Sequence, residues 1–129
     1  MKYGKYLLIF TVLLSLCNLV ISFFFVFSCN LNLGVAFGIY IEWVAMWSCI
    51  AIFLLVLLAF TVKGDMRYIF LSIAVLGFTN FLERLITGHI CDYIPLFSLY
   101  VNLIDIWITI LVGFAILICI REIYGKKSR

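Results

Sequence analysis

The segment HICDYIPLFSLYVNLIDIW, residues 89–107, contains two aspartates, Asp92 and Asp105, in surroundings that are almost entirely apolar. Two carboxyl groups that lie close together cannot easily both ionise, so one pKa rises and the pair holds a shared proton. Such a pair can activate water as a general base while its protonated member polarises a carbonyl group. The two residues therefore predict aspartic-protease chemistry, provided that the fold brings them together.

Other catalytic chemistries have weaker support in the sequence. His89 is the single histidine, which is too little for a histidine-rich metal site, and the five cysteines show no metal-binding spacing. The serines lack a recognisable paired base, and no phosphate-binding loop is present in the sequence. We therefore expect neither a metal ion nor a cofactor.

The composition indicates an integral membrane protein. Hydrophobic residues make up 67% of the 129 residues, charged residues make up 12%, and the mean hydropathy is +1.30. A soluble domain of this size is usually about half apolar. A membrane-spanning helix needs about 20 apolar residues. The sequence predicts an all-α membrane protein, a single domain over 1–129, with four transmembrane helices at approximately 6–27, 43–62, 67–87 and 101–120.

The basic residues predict the orientation of these helices. Eight of the nine lie before the first span, between the second and third, or after the fourth, so four spans put all eight on one side. By the positive-inside rule both termini are cytoplasmic. Arg84 is the exception, at the outer end of the third span, which suggests a specific role. The net charge of +3 follows from topology and does not indicate nucleic-acid binding. Leu16 before Cys17 argues against a cleaved lipoprotein signal, so we expect the first span to be retained.

Depth in the membrane distinguishes the acidic residues. Glu83 lies sixteen residues after Arg67, and Asp105 lies sixteen residues before Arg121, which is about 24 Å of helix in each case. Both should lie near the outer surface of a hydrocarbon core about 30 Å thick. For Glu83, simple charge neutralisation by Arg84 is as good an explanation as a functional role. Asp105 is too short to reach far towards water, and an ionisable residue within a membrane is a functional candidate by default.

Amide side chains accompany the ionisable groups. Asn80 lies four residues before Arg84, and Asn102 lies three before Asp105, so each amide can share a helix face with an ionisable group. The loop CNLNLGVAFG, residues 29–38, is polar but uncharged and is expected on the same outer face. Its composition is also that of an ordinary turn.

The cysteines leave one question open. Cys29 and Cys91 would both face outside and could form a disulfide, although an odd, unpatterned set of five is more often inert. Cys17, Cys49 and Cys119 lie within predicted spans, where cysteine behaves as a small apolar residue.

Three motifs resemble those of a known family. NLGVAFG at 32–38 is similar to an Asn-x-Gly-x-Ala-Phe box, and TNFLERLITGHICDYI at 79–94 resembles an Asn-x-x-Asp-Arg…Gly-x-Val-Val-Asp-Phe box. VNLID at 101–105 looks like a Phe-Asn-x-Ala-Asp box. These are the boxes of the bacterial lipoprotein signal peptidases, also called signal peptidase II, in the order of that family. The sequence resembles a short, divergent member.

The resemblance implies a multi-pass aspartic endopeptidase of the bacterial cytoplasmic (inner) membrane with its active site near the outer face. Such an enzyme removes the signal peptide from diacylglyceryl-modified prolipoproteins by cleaving before the lipidated cysteine. Such an enzyme is surrounded by membrane lipid, and globomycin-type inhibitors are expected to block it. We expect the protein to be a monomer. The catalytic pair corresponds to Asp92 and Asp105. The supporting and substrate-binding residues correspond to Asn32, Gly34, Asn80, Arg84 and Asn102.

The sequence also departs from the family. Asn18 and Ser22 stand where the family has an Asp-Gln-x-x-x-Lys-like box, Glu83 replaces an aspartate, and Ile104 replaces an alanine. The outer segments are short, so at most a very small extracellular β element, such as a short hairpin, is expected in place of the family's β-cradle. Two alternatives stay open. One is a catalytically inactive relative that binds lipoprotein signal helices or lipid, and the other is a small four-helix proton-coupled transporter.

Overall fold

The computed structural model describes residues 3–24, 29–34 and 42–127. These residues form four helices and four short strands. The helices are α1 (Gly4–Phe24), α2 (Val44–Thr61), α3 (Asp65–Thr87) and α4 (Leu103–Lys127). The strands are β1 (Asn30–Asn32), β2 (Ile90–Asp92), β3 (Ile94–Leu96) and β4 (Leu99–Val101). Their order along the chain is α1, β1, α2, α3, β2, β3, β4 and α4.

All four helices are long and apolar enough to cross a membrane, as predicted. They contain between 18 and 25 residues, or about 27–38 Å of helix, against a hydrocarbon core of about 30 Å. Most described boundaries lie within two residues of the prediction, and the largest difference is at the end of α4. α1 begins at Gly4, and the predicted continuation over 25–27 lies outside the described residues. α4 begins at Leu103 because the preceding residues form β4, and it continues to Lys127.

Helix α3 is the centre of the bundle, because it packs against each of the other three helices. Ile69, Ile73 and Leu76 of α3 form the buried core together with Ile104 and Leu111 of α4. Near the end of α3, Glu83 and Arg84 are buried on the side that faces the rest of the molecule, whereas Leu85 and Ile86 are exposed.

Helix α1 turns its small and polar side inwards and its large apolar side outwards. Its buried residues are Gly4, Thr11, Ser15, Asn18 and Ser22. Lipid is as apolar as a leucine side chain, so helices in a membrane associate through close packing of small residues and through hydrogen bonds. Hydropathy alone predicts that α1 exists but does not predict this packing face.

The short strands cross-link the helix ends. β1 pairs antiparallel with β2, with Asn30 opposite Asp92, Leu31 opposite Cys91, and Asn32 opposite Ile90. β3 and β4 form a second antiparallel pair, a tight hairpin. The expected small β element is thus present, but β1 pairs with the segment after α3 and not within its own loop. We call the end of the bundle formed by 29–34 and 88–102 the strand end.

A disulfide between Cys29 and Cys91 joins the segments of β1 and β2, with a Cα–Cα distance of 5.3 Å. Cys17, Cys49 and Cys119 are free. The structure thus contains the disulfide that the sequence left as an open possibility, and the other three cysteines lie within α1, α2 and α4, as predicted. The bond closes a loop over a sequence separation of 62 and holds β1 beside the residue that precedes Asp92.

We predict that alkylation of the unfolded, unreduced protein modifies three thiols, and that prior reduction raises this number to all five. Reduction should also lower the free energy of unfolding by about 2–4 kcal/mol, because an open chain has more unfolded conformations. Intact-mass spectrometry counts the thiols, and thermal unfolding in detergent measures the stability.

Two substitutions are matched controls for this count. Cys29→Ser should add one modifiable thiol to the unreduced protein by releasing Cys91, whereas Cys49→Ser should remove one and leave the effect of reduction on stability unchanged. Alkylation of all five thiols without a reductant would contradict the pairing.

Candidate active site

A cavity of about 220 Å³ lies between α2, α3 and α4 near the strand end. Asn80 and Arg84 reach it together because residues four apart share a helix face. Asp105 of α4 and Asn32 of β1 also line it. Most of the remaining wall is apolar and comes from the three helices. The cavity therefore has a polar end, at the strands, and an apolar body.

Asp92 ends β2 and has an amide donor on each carboxylate oxygen. The side-chain amide of Asn32 donates to Oδ2 at 2.9 Å, and that of Asn102 donates to Oδ1 at 3.1 Å. Only 1% of the surface of Asp92 is exposed. The pairing of β1 with β2 supplies the first donor, since it brings Asn32 alongside the end of α3 and the start of β2.

Asp105 lies in the first turn of α4, where the unpaired N–H groups of the helix favour a negative charge. Its Oδ1 lies 3.4 Å from the side-chain nitrogen of Asn80, a long hydrogen bond. Its backbone N–H donates to Oδ1 of Asn102 at 3.0 Å. The asparagine immediately before α4 thus caps the helix, as asparagine commonly does.

The Asn102 side chain links the two aspartates. Its nitrogen donates to the Asp92 carboxylate, and its oxygen accepts the backbone N–H of Asp105. Asn102 is itself fully buried. One amide therefore fixes both the start of α4 and the orientation of Asp92.

Burial raises the pKa of Asp92 from its ordinary 3.8 to about 6. This value already includes smaller increases from the negative charges of Asp105 and Glu83, and decreases from the amides of Asn32 and Asn102, which stabilise the ionised form. Electrostatic influence of Asp105 on Asp92 is what a proton-sharing pair requires. Asp92 thus titrates close to neutral pH.

Arg84 and Gly34 tie the first loop to α3. The guanidinium of Arg84 donates to the carbonyl oxygen of Gly34, and the N–H of Gly34 donates to Oδ1 of Asn32 at 2.9 Å. This contact gives the Arg84 guanidinium a buried structural partner. Arg84 orders the loop that carries Asn32, and Asn32 in turn binds Asp92.

Glu83 has a role that the sequence did not reveal. Its Oε1 accepts the backbone N–H of Cys91 at 2.8 Å, and the residue is almost fully buried. Simple neutralisation by Arg84 does not describe this contact, because the carboxylate holds the strand at the residue before Asp92. No local pattern in the sequence identifies a backbone partner eight residues away.

Asn18 and Tyr93 form a second contact that the sequence did not predict. The Tyr93 hydroxyl donates to Oδ1 of Asn18 at 2.8 Å. Asn18, which stands where the resembling family has a charged box, is fully buried in α1. Burial also raises the pKa of Tyr93. The sequence did show an asparagine inside a predicted span, but it did not identify Tyr93 as the partner of that asparagine.

Ile104, the bulkier neighbour of Asp105, does not line the cavity. It is fully buried and packs in the core with Ile73 and Leu76. Its extra volume therefore fills the contact between α3 and α4.

All seven residues predicted for the site lie at or beside the strand end. Four line the cavity, and hydrogen bonds connect Asp92, Asn102 and Gly34 to those four. In the described part of the chain, no group of three or more histidine, cysteine or acidic residues could hold a metal ion.

Comparison with known proteins adds no relative: no family model, no curated protein and no solved structure matches this chain.

We predict a pH dependence of stability that belongs to Asp92. Its pKa is higher in the folded protein than in the unfolded chain, so the protonated form is the one that folding favours. The stability of the wild type relative to Asp92→Asn should fall as the pH rises from about 4 to about 6, by up to about 3 kcal/mol, and then level off. Thermal unfolding at a series of pH values measures this difference. A difference that is constant or rises over this range would contradict the raised pKa.

We predict that Glu83→Ala destabilises the protein by about 1–3 kcal/mol, because the buried N–H of Cys91 loses its acceptor. Glu83→Gln keeps a carbonyl acceptor and should lose less. Glu42→Ala is the matched control, since Glu42 is exposed at the start of α2 and should change stability by less than about 0.5 kcal/mol. Equal unfolding temperatures for Glu83→Ala and Glu42→Ala would show that the contact contributes nothing.

Proposed function

We propose that this chain is a membrane aspartic endopeptidase of the signal peptidase II type. It would remove the signal peptide from diacylglyceryl-modified prolipoproteins by cleaving before the lipidated cysteine. The observation that carries the proposal is the linkage of Asp92 and Asp105 through the single buried amide of Asn102. The charge of Asp105 on Asp92 supports the same conclusion.

The proposed orientation puts the strand end at the outer face of the bacterial cytoplasmic membrane and both termini in the cytoplasm. Four apolar helices and the distribution of basic residues support it. Lys63, between α2 and α3, and Arg67, in the first turn of α3, lie at the end of the bundle opposite the strands. Arg84 is accounted for by its bond to Gly34 and does not weaken the pattern.

In the proposed reaction, one carboxylate of the pair takes a proton from water as the water oxygen attacks the scissile carbonyl carbon. The protonated partner donates a hydrogen bond to the carbonyl oxygen, where negative charge develops. The tetrahedral intermediate then collapses, the C–N bond breaks, and a proton from the pair passes to the leaving nitrogen of the lipidated cysteine. With a pKa of about 6, Asp92 can both accept and release a proton close to neutral pH.

The surrounding residues have positioning roles in this proposal. Asn32 and Asn102 hold Asp92, Asn80 holds Asp105, and Arg84 holds the loop that supplies Asn32. The apolar body of the cavity, which includes Ile52, Leu55, Ile73 and Ile108, would accept the hydrophobic signal segment. The polar end of the cavity would receive the peptide bond.

Transport is less well supported than hydrolysis. Asp105 lies in the first turn of α4, Glu83 lies near the end of α3, and α1 and α2 contain no acidic residue. A proton-coupled path usually places its ionisable groups near the middle of the membrane with access to both sides. Here Glu83, Asp92 and Asp105 all lie at the strand end.

We predict that the purified protein in detergent or lipid cleaves a diacylglyceryl-modified prolipoprotein, that globomycin blocks the cleavage, and that Asp92→Asn and Asp105→Asn each reduce its rate by about 10²–10⁴-fold. A positioned acid or base commonly contributes this much. A gel shift reports the removal of the signal peptide.

Glu42→Gln is the matched control, because it removes an exposed acid near the same end of the bundle. It should cleave at the wild-type rate. If the folded wild type does not cleave the substrate, the proposal of an enzyme is wrong, and a protein that only binds lipoprotein signal helices or lipid is favoured instead. Cleavage that persists in both aspartate variants would show that other residues are catalytic.

A further inference from the structure

The β3–β4 hairpin is the segment that joins the two aspartates, since it follows Asp92 and ends just before α4. No charged residue occurs from 93 to 104. The hairpin nevertheless presents large apolar and aromatic side chains on its surface. The exposed ones are Leu96, Phe97, Leu99 and Tyr100. An exposed apolar cluster with no charge beside it is characteristic of a binding surface.

The hairpin lies along α4 and does not project away from it. Leu96 and Val101 line a cavity of about 200 Å³ together with Ile106 and Ile110 of α4. Ile110 is seven residues, or about 10 Å, from the start of that helix. The hairpin therefore flanks the first two turns of a helix that is long and apolar enough to cross a membrane. Its exposed residues continue the apolar surface of the bundle.

Phe97 at the hairpin turn is exposed to the full extent, with a relative exposure of 102%, and its φ is +55°. A bulky residue at positive φ is an outlier, because glycine and asparagine adopt this conformation at lower cost. Such strain often marks a functional position. At this turn the hairpin presents the aromatic ring of Phe97 outwards, although a small residue would adopt the same backbone conformation at lower cost.

The boundary between lipid headgroups and acyl chains fits this hairpin better than the hydrocarbon core does. A two-strand hairpin has unpaired backbone groups along both edges, and these are not tolerated in hydrocarbon. Pro95 in β3 removes one such N–H group. Aromatic side chains concentrate at this boundary, because it accepts both a ring and a polar group such as the Tyr100 hydroxyl.

We propose that the β3–β4 hairpin is an interfacial membrane anchor that inserts Phe97 and its apolar neighbours into the lipid at the strand end. The partner is the bilayer surface itself. Because the hairpin is continuous with Asp92 on one side and leads into α4 and Asp105 on the other, its depth sets the depth of both carboxyl groups. The proposal needs only that α4 crosses the membrane and is independent of peptidase activity.

The test is a depth measurement on the full chain in vesicles of phosphatidylethanolamine and phosphatidylglycerol. An environment-sensitive fluorophore is attached at Phe97→Cys in a background where the three free cysteines are alanine. The Cys29–Cys91 disulfide is kept intact by labelling without a reductant. The matched control carries the label at Lys63→Cys, an exposed position between α2 and α3. Quenching by aqueous iodide is compared with quenching by nitroxides on lipid headgroups and near the middle of the acyl chains.

The label at position 97 should emit at shorter wavelength than the control and be quenched several-fold less by iodide. Nitroxides at the headgroup should quench it more strongly than those deep in the chains. Iodide quenching equal to that of the control would overturn the anchor. Shielding from iodide without quenching by any lipid nitroxide would also overturn it, in favour of a protein contact.

A second labelled position guards against a defect caused by the change at the turn. Tyr100→Cys leaves Phe97 and its backbone intact, and Tyr100 is also exposed. The same shielding from iodide and the same preference for headgroup nitroxides are expected there. A water-exposed label at position 100 in a protein that retains its disulfide would contradict the proposal.

Discussion

Two carboxyl groups buried at the end of an apolar bundle must find hydrogen-bond donors, and the architecture of the strand end follows from this requirement. An ionised carboxylate without donors is very costly to bury. Here the donors are neutral amides from three different elements, namely Asn32 of β1, Asn80 of α3 and Asn102 before α4. Neutral donors stabilise a carboxylate without adding a full positive charge. They therefore permit the raised pKa of Asp92, which a direct ion pair would lower.

The elements around the pair hold those donors in place. The Cys29–Cys91 disulfide and the contact between Glu83 and the N–H of Cys91 both act on the residue before Asp92. Arg84 holds the loop that follows Asn32 through the carbonyl of Gly34. α3 provides both Glu83 and Arg84, and its central packing makes it a rigid support. Precision at a reacting centre depends on such supporting contacts.

The sequence predicts the parts of this structure that depend on local pattern. Hydropathy predicts four helices with boundaries correct to within a few residues where the structure describes them, except at the end of α4. The depth of Asp105 and the spacing of Asn80 and Asn102 predict a polar cluster at one end. The partners of Asn18 and Glu83 were not predictable, because Tyr93 and Cys91 meet them only through tertiary packing. The same holds for the pairing of β1 with β2, which depends on where α1 and α3 end.

The central claim is that Asp92 and Asp105 act on one another as a proton-sharing pair. The most direct test is a titration of carboxyl ¹³C signals in protein labelled at aspartate, with Asp92 assigned by its loss in Asp92→Asn. The account predicts that Asp92 titrates near pH 6 in the wild type and at a lower pH in Asp105→Asn, where the neighbouring charge is absent. An Asp92 midpoint that does not change on removal of Asp105, or one that lies near the ordinary 3.8, would contradict the pairing.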